Sequence, residues 1–327
     1  MIRRRNLLAA GAVAPLAIRA PAVLAQAAAE AAWQPTRPLQ MVVAYQAGGG
    51  TDIAARIIAR FMERDLGQPV VVLNRPGAGG EIGFAELARS RPDGYTIGFI
   101  NTPTIVSVPI ERRSSFQLGS FSILGNLIDD PDGLWVMPNS PYRTLADLLD
   151  DAKRRPETIG YGTTGVGSDD HLAMLALERA AGVKFVHIPY AGSAGMKTDL
   201  ASGTLPLACT NLGDCINDYR QGTLRPLVQM GETRWERAPD LPTLKELGYN
   251  VVEGSMRGMA APAGVPAPIV ARLALSIRRV MENPEFKAQA EQQNLPLRYL
   301  GPDAFLDELK ALEVRCRALW AEHPWVD

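Results

Sequence analysis

Apolar positions follow two periods that alternate along the chain. An apolar run covers Leu39 to Tyr45, as in a strand buried on both faces. Ile53, Ile57, Ile58, Phe61, Met62 and Leu66 then recur at helical spacing, so 51–66 is predicted helical. Gly67-Gln68-Pro69 stops that helix. Val70 to Leu73 reads as a second strand and Tyr95 to Ile100 as a third, after the turn signal Pro92-Asp93-Gly94. The middle of the chain repeats the style. A helix is predicted from Thr144 to Arg155, then a strand from Thr158 to Tyr161, then a helix ending at Ala181. Phe185 to Ile188, Leu205 to Cys209 and Leu224 to Met230 read as further strands. Late helices are predicted over Pro266 to Met281 and Pro302 to Trp320. Strands alternating with helices give an α/β class with largely parallel sheets.

The first 25 residues stand apart from this pattern. Arg3-Arg4-Arg5 precedes the short apolar segment Leu7 to Ala14, and Val23-Leu24-Ala25 places small residues before Gln26. That is the layout of an export signal, and the arginine cluster also resembles a twin-arginine signal. Pro15, Arg19 and Pro21 break the segment well below spanning length. Its removal takes four arginines and no acid, carrying the formal charge from −1 to −5. No basic run suggests nucleic acid. Cys209, Cys215 and Cys316 fit no zinc or CxxC spacing. Cys209 and Cys215 are read either as a short-loop disulfide in an oxidising compartment or as two buried free thiols.

Candidate chemistry sits where strands hand over to helices. Gly48-Gly49-Gly50-Thr51-Asp52 follows the first strand and opens the first helix. Glycines there let a ligand touch main-chain N–H groups, which lack partners in a helix's first turn and carry the positive end of its dipole. Such a loop is an anion site, and α/β sheets bind ligands beyond the carboxyl ends of their strands. The plainer reading is a tight turn, with Thr51 or Asp52 capping the helix. Gly165-Val166-Gly167-Ser168 and Tyr190-Ala191-Gly192-Ser193 repeat the arrangement. One such loop on one domain and two on another would clamp a small carboxylate between them.

An ordered series of stretches carries a family resemblance from about residue 37 to the C-terminus. They are Gly48 to Asp52; Gly67 to Val72 with Asn74 to Gly80; Pro92 to Thr96; Gly165 to Ser168 with His171-Leu172; Tyr190 to Ser193; Asp199-Leu200; Pro239 to Thr243; and Ala261 to Gly264. The chain resembles the periplasmic solute receptors of tripartite tricarboxylate transporters, the Bordetella uptake gene (Bug) family. The resemblance implies a two-lobed periplasmic-binding-protein fold of the Venus flytrap, type II-like kind. One lobe would comprise 36–137 plus 253–327, and 138–252 would form the other. It implies a periplasmic, monomeric protein that captures a small organic acid for membrane transporter subunits, with no cofactor or metal. The implied contacts are Tyr45, Gly48, Gly49, Thr51 and Asp52 on lobe one, with Asn101 and Thr102 as a further wall. On lobe two they are Gly165, Gly167, Ser168, Tyr190 and Gly192, with Thr210 at a strand end. The chain departs from common family patterns at Ala44 to Ala47, Ala194 to Met196, Thr210-Asn211 and Ser255 to Gly258. Arg257 has two readings: a bidentate grip on a second carboxylate, or a surface or hinge arginine paired with Glu253.

The competing class is an exported α/β enzyme acting on a carboxylate or ester. Ser168 and Ser193 do not fit G-x-S-x-G, and no G-x-x-x-x-G-K-[ST] occurs. Gly77 to Gly83 nearly mimics a dinucleotide fingerprint, but its third glycine comes one residue late, and it reads as a turn leading into a helix. His171 is read as a ligand contact, a base, or a packing and capping residue.

Overall fold

The computed structural model describes residues 33–326. The export segment 1–25 lies outside them. In lobe one, β1 (Leu39–Val43) runs parallel between β2 (Val70–Asn74) and β3 (Thr96–Asn101). The helical spacing after β1 becomes α1 (Gly50–Leu66), which ends at Gly67 with a left-handed φ of 70°. The helices α2 (Glu81–Arg89) and α3 (Thr104–Glu111) follow β2 and β3. The long strand β4 (Phe121–Val136) then leads into lobe two.

Lobe two comprises α4 (Leu145–Arg154), β5 (Gly160–Thr163), α5 (Asp169–Ala181), β6 (Val186–Pro189), α6 (Ser193–Ser202), β7 (Leu207–Asn211), α7 (Leu212–Arg220) and β8 (Arg225–Gln229). The chain returns to lobe one through β9 (Gly254–Pro262), α8 (Ala267–Glu282), α9 (Pro284–Gln292), β10 (Leu297–Leu300) and α10 (Pro302–Glu322). Strand β5 is parallel to β6 and β7.

The sheets are mixed rather than largely parallel. An inserted lobe requires the chain to leave and come back, so the segments joining the lobes run in opposite directions. Residues Phe121 to Pro131 of β4 pair antiparallel with β9, while Asp132 onward pairs antiparallel with β7 and β8. The exchange falls at Pro131, which has no N–H to give to a ladder. By pairing, residues 132–136 therefore go with the second sheet, ahead of the division at 137 drawn from the sequence. Asp132 N–H donates to Glu253, Glu253 N–H to Met230, and Met230 N–H to Asp132, which knits the crossing segments together.

Helices cover both faces of each sheet. In lobe one, Ile58 and Phe61 of α1 pack with Leu273 and Ile277 of α8 and Phe286 of α9. On the opposite face Phe84, Val108, Phe305 and Leu309 form a second layer. Lobe two has the same plan, with Leu148 and Leu177 on one side and Met196, Leu200 and Ile216 on the other. Cys209 belongs to the first of those layers and Cys215 to the second. All three cysteines are buried and free, so the disulfide reading of Cys209 and Cys215 is replaced by the free-thiol reading.

Candidate functional site

The lobes meet around a cavity of about 30 Å³. Helix N-termini of both lobes converge on it. Gly49, Gly50 and Thr51 begin α1; Gly192 and Ser193 begin α6; Asn211 and Asp214 begin α7; Asp169 begins α5. At α7 the Asp130 carboxyl accepts from Gly213 N–H at 3.0 Å, but at α1 and α6 no side chain caps the first turn. Their leading N–H groups and dipoles favour negative charge. The α1 and α6 ends face each other: a Cβ on Gly49 would lie 3.2 Å from Ser193 Oγ. Ser168 does cap α5, accepting from His171 N–H at 3.3 Å.

One buried arginine lies in the cavity wall beside the start of α1. Arg257 on β9 is 2% exposed and lies directly opposite Asn101 of β3 in the ladder. Its Nη2 donates to Asn211 Oδ1 at 2.8 Å and pairs with Asp130 at 3.1 Å and Asp214 at 3.3 Å. Glu253 is not its partner. Four residues along a strand span about 13 Å, too far for the pairing read from sequence. Burial opposes the charge on Arg257, but Asp214 and Asp130 push its pKa up. Asn211 Nδ2 donates to the Asp130 carbonyl, to Asp132 Oδ1 and to Asp169 Oδ2, so one amide ties the hinge strand to α5. Desolvation raises the pKa of Asp130 to about 7 and holds that of Asp132 well above the usual carboxylate range.

The residues proposed from sequence divide in two. Tyr45, Gly49, Thr51, Asn101 and Gly192 line the cavity. Tyr45 shares a 3.0 Å hydroxyl contact with Thr104, and Asn101 Nδ2 donates to Thr51 Oγ1 at 2.9 Å. The others support the walls. Asp52 neither caps α1 nor lines the cavity; it accepts from Gly48 N–H, Arg56 and Asn74, which pins the loop. Thr102 Oγ1 accepts from Met256 N–H. Thr210 is buried, and its carbonyl accepts from Trp135. Tyr190 hydroxyl donates to Asp199.

Gly165 and Gly167 form a contact between lobes, and Ser168 bonds within lobe two. A Cβ on Gly165, whose φ is +148°, would lie 2.9 Å from Gly79 Cα of lobe one. Ser107 Oγ donates to Gly167 O at 2.6 Å. Ser168 hydroxyl donates to Gly165 O and touches the Asp170 carboxyl. His171 Nδ1 accepts from Gly167 N–H, and its ring stacks on His187 at 3.9 Å, so His171 caps and packs.

Residues that line the cavity but were not proposed from sequence are Gly50, Thr164, Asp169, Ser193, Asn211, Asp214 and Ser255, with Arg257 left between two readings. The signal for Gly50 was present, as the third glycine of the first loop. Its lack of a side chain is required by close approach: a Cβ there would lie 1.8 Å from Asp214 Oδ1 and 2.4 Å from Arg257 Nη1. Alanine is tolerated in a helix's first turn, so Gly50→Ala is expected to fold while resisting closure of the lobes. Overpacking of this kind costs about 1–3 kcal/mol, which corresponds to roughly 5- to 150-fold weaker solute binding. Titration calorimetry of the folded variant checks this; unchanged affinity would show that Asp214 and Arg257 move aside freely.

Known proteins resemble this chain in sequence and in fold. The sequence profile of the tripartite tricarboxylate transporter family receptor (TctC) matches residues 54–299. A Cupriavidus necator protein described as "UPF0065 protein in gbd 5'region" is 33% identical over 93% of this chain and 93% of its own. The solved periplasmic binding protein BugD superposes with a TM-score of 0.84 at 30% identity, covering 88% of this chain and 98% of BugD. The structure of R. palustris Rpa4515 with adipate gives a TM-score of 0.83 at 28% identity, over 88% of this chain and 97% of that one.

Proposed function

The chain belongs to the tripartite tricarboxylate transporter receptor family, whose members are periplasmic solute-binding proteins, and we propose that it captures a small carboxylate between its lobes for membrane transport subunits. The observation that carries the ligand class is the convergence of two uncapped helix N-termini, one from each lobe, on one interlobe cavity. A relative of 28% identity holds adipate, a dicarboxylate of the right class. Solute enters with the lobes apart. Closure over it removes its carboxylate from water, which strengthens each N–H···O bond. The closed surface is then what a membrane partner recognises. Export by the 1–25 segment places the protein where such a solute is met, and it acts as a monomer. No helix among the described residues is long and apolar enough to cross a membrane.

The enzyme reading has less support. Catalysis by Ser168 would need an imidazole on its hydroxyl, and that hydroxyl meets a backbone carbonyl and a carboxyl instead.

The test is thermal stability of the mature protein against mono-, di-, tri- and aromatic carboxylates. A bound solute at a hundred times its Kd adds about 2.7 kcal/mol, a shift of a few degrees for a chain of this size. A shift with recovery of the acid unchanged supports a receptor. Conversion of the acid would favour the enzyme, and flat curves throughout would count against carboxylate capture.

A further inference from the structure

We infer that the solute is an amino acid rather than a simple di- or tricarboxylate: the cavity is built for a carboxylate and an ammonium group close together. This rests on the receptor reading above and narrows its ligand class. Lobe one offers an unpartnered donor beside an unpartnered acceptor. Arg257 Nη1 and Nε have no hydrogen-bond partner, and neither does Asn101 Oδ1, though both residues line the cavity and are at least nine-tenths buried. The two residues are register partners on β3 and β9, which places their Cβ atoms about 5 Å apart on one face of the sheet. A solute that satisfies both presents an anion and an N–H donor within a few ångströms.

Lobe two explains why that donor is cationic. Two carboxylates line its side of the cavity, Asp169 at the start of α5 and Asp214 in the first turn of α7. They already answer the dipoles of those helices. Asp214 also abuts Gly50 at the start of α1, whereas the first turn of α6 carries no acid, so the α6 end and the spare N–H groups of Arg257 receive the solute carboxylate. A second carboxylate placed against Asp169 and Asp214 would meet like charge. The guanidinium beside it is already shared among Asp130, Asp214 and Asn211. An ammonium meets opposite charge from two directions and an open carbonyl oxygen on Asn101.

The experiment is calorimetric titration of the purified protein with matched pairs that differ only in the amino group: alanine against propionate, leucine against 4-methylpentanoate, glutamate against glutarate. The amino member of at least one pair is expected to bind tenfold or more tightly. Asp169→Asn and Asp214→Asn, made separately so that one folding failure leaves the other, are each expected to shrink that preference to threefold or less. Tighter binding of the deaminated acid in every pair that binds would overturn the amino-acid assignment and leave the receptor reading standing. A preference that survives both substitutions would overturn the role of the two carboxylates. Absence of binding by either member of every pair, and by the wider carboxylate panel, would overturn the receptor reading along with it.

Discussion

Arg257→Leu is expected to destabilise the protein by about 3–5 kcal/mol, and solute binding should fall below detection. The guanidinium is 2% exposed and is shared by Asp130, Asp214 and Asn211. Its loss leaves two carboxylates without their cation in a region closed to water. Leucine fills part of the volume, so the cost is electrostatic rather than a cavity. Two comparisons separate the causes. Arg257→Lys keeps the charge but not the planar fork that reaches three partners, and is expected to recover only part of the stability. Adding Asp130→Asn to Arg257→Leu removes one stranded charge and should restore more. Urea denaturation measures all three. A loss under about 1 kcal/mol for Arg257→Leu would mean that the acids around it are protonated or relax into solvent. Arg272 gives the contrast: it is equally buried, but it joins α8 to the end of α1 through Asp65 at 2.7 Å, far from the cleft. Replacing Arg272 should lower stability and leave affinity of the folded protein unchanged.

How much of this was legible in the sequence follows from the range of each interaction. The opening of α1 was legible because everything it needs is local: an apolar run, three glycines and a 3.6-residue repeat. The strands that carry the hinge were not. Asp129-Asp130-Pro131-Asp132-Gly133 has the composition of a turn, yet it runs extended through β4 because β9 pairs it on one side of Pro131 and β7 and β8 on the other. Long-range pairing overrides local preference there. Arg257 shows the same limit. Its nearest acid in sequence is Glu253, whereas its partners come from β4 and α7. The second glycine loop was found as a loop, but its residues serve contact between lobes and capping of α5, a distinction that only the position of lobe one decides.

The hinge acids make a pH dependence opposite to ordinary acid denaturation. Stability of the ligand-free protein is expected to fall as pH rises from about 5 to about 8. Burial raises the pKa of Asp130 and of Glu253 to about 7, and those of Asp132 and Asp169 above the usual carboxylate range. An acid whose pKa is raised on folding keeps a proton that the unfolded chain has already released. The folded state then binds more protons, and stability declines as pH climbs through the window between the two values. His171 and His187 act the other way. Desolvation lowers them to about 3 and about 4, so they cost stability as pH drops below the ordinary histidine value of about 6.5. Asp52 and Asp65, lowered by their arginine partners among other bonds, act only in more acidic solution. Asp170 is raised as well, so five raised acids stand against two lowered histidines and the net slope is expected to be downward, each net proton held by the folded state being worth about 1.4 kcal/mol per pH unit. Urea midpoints at pH 5, 6, 7 and 8 measure it, and Asp132→Asn should flatten the curve, since an amide still accepts from Asn211. A profile that climbs across the same range would mean the hinge acids are ionised in the folded protein, with Arg257 and Asn211 outweighing their desolvation.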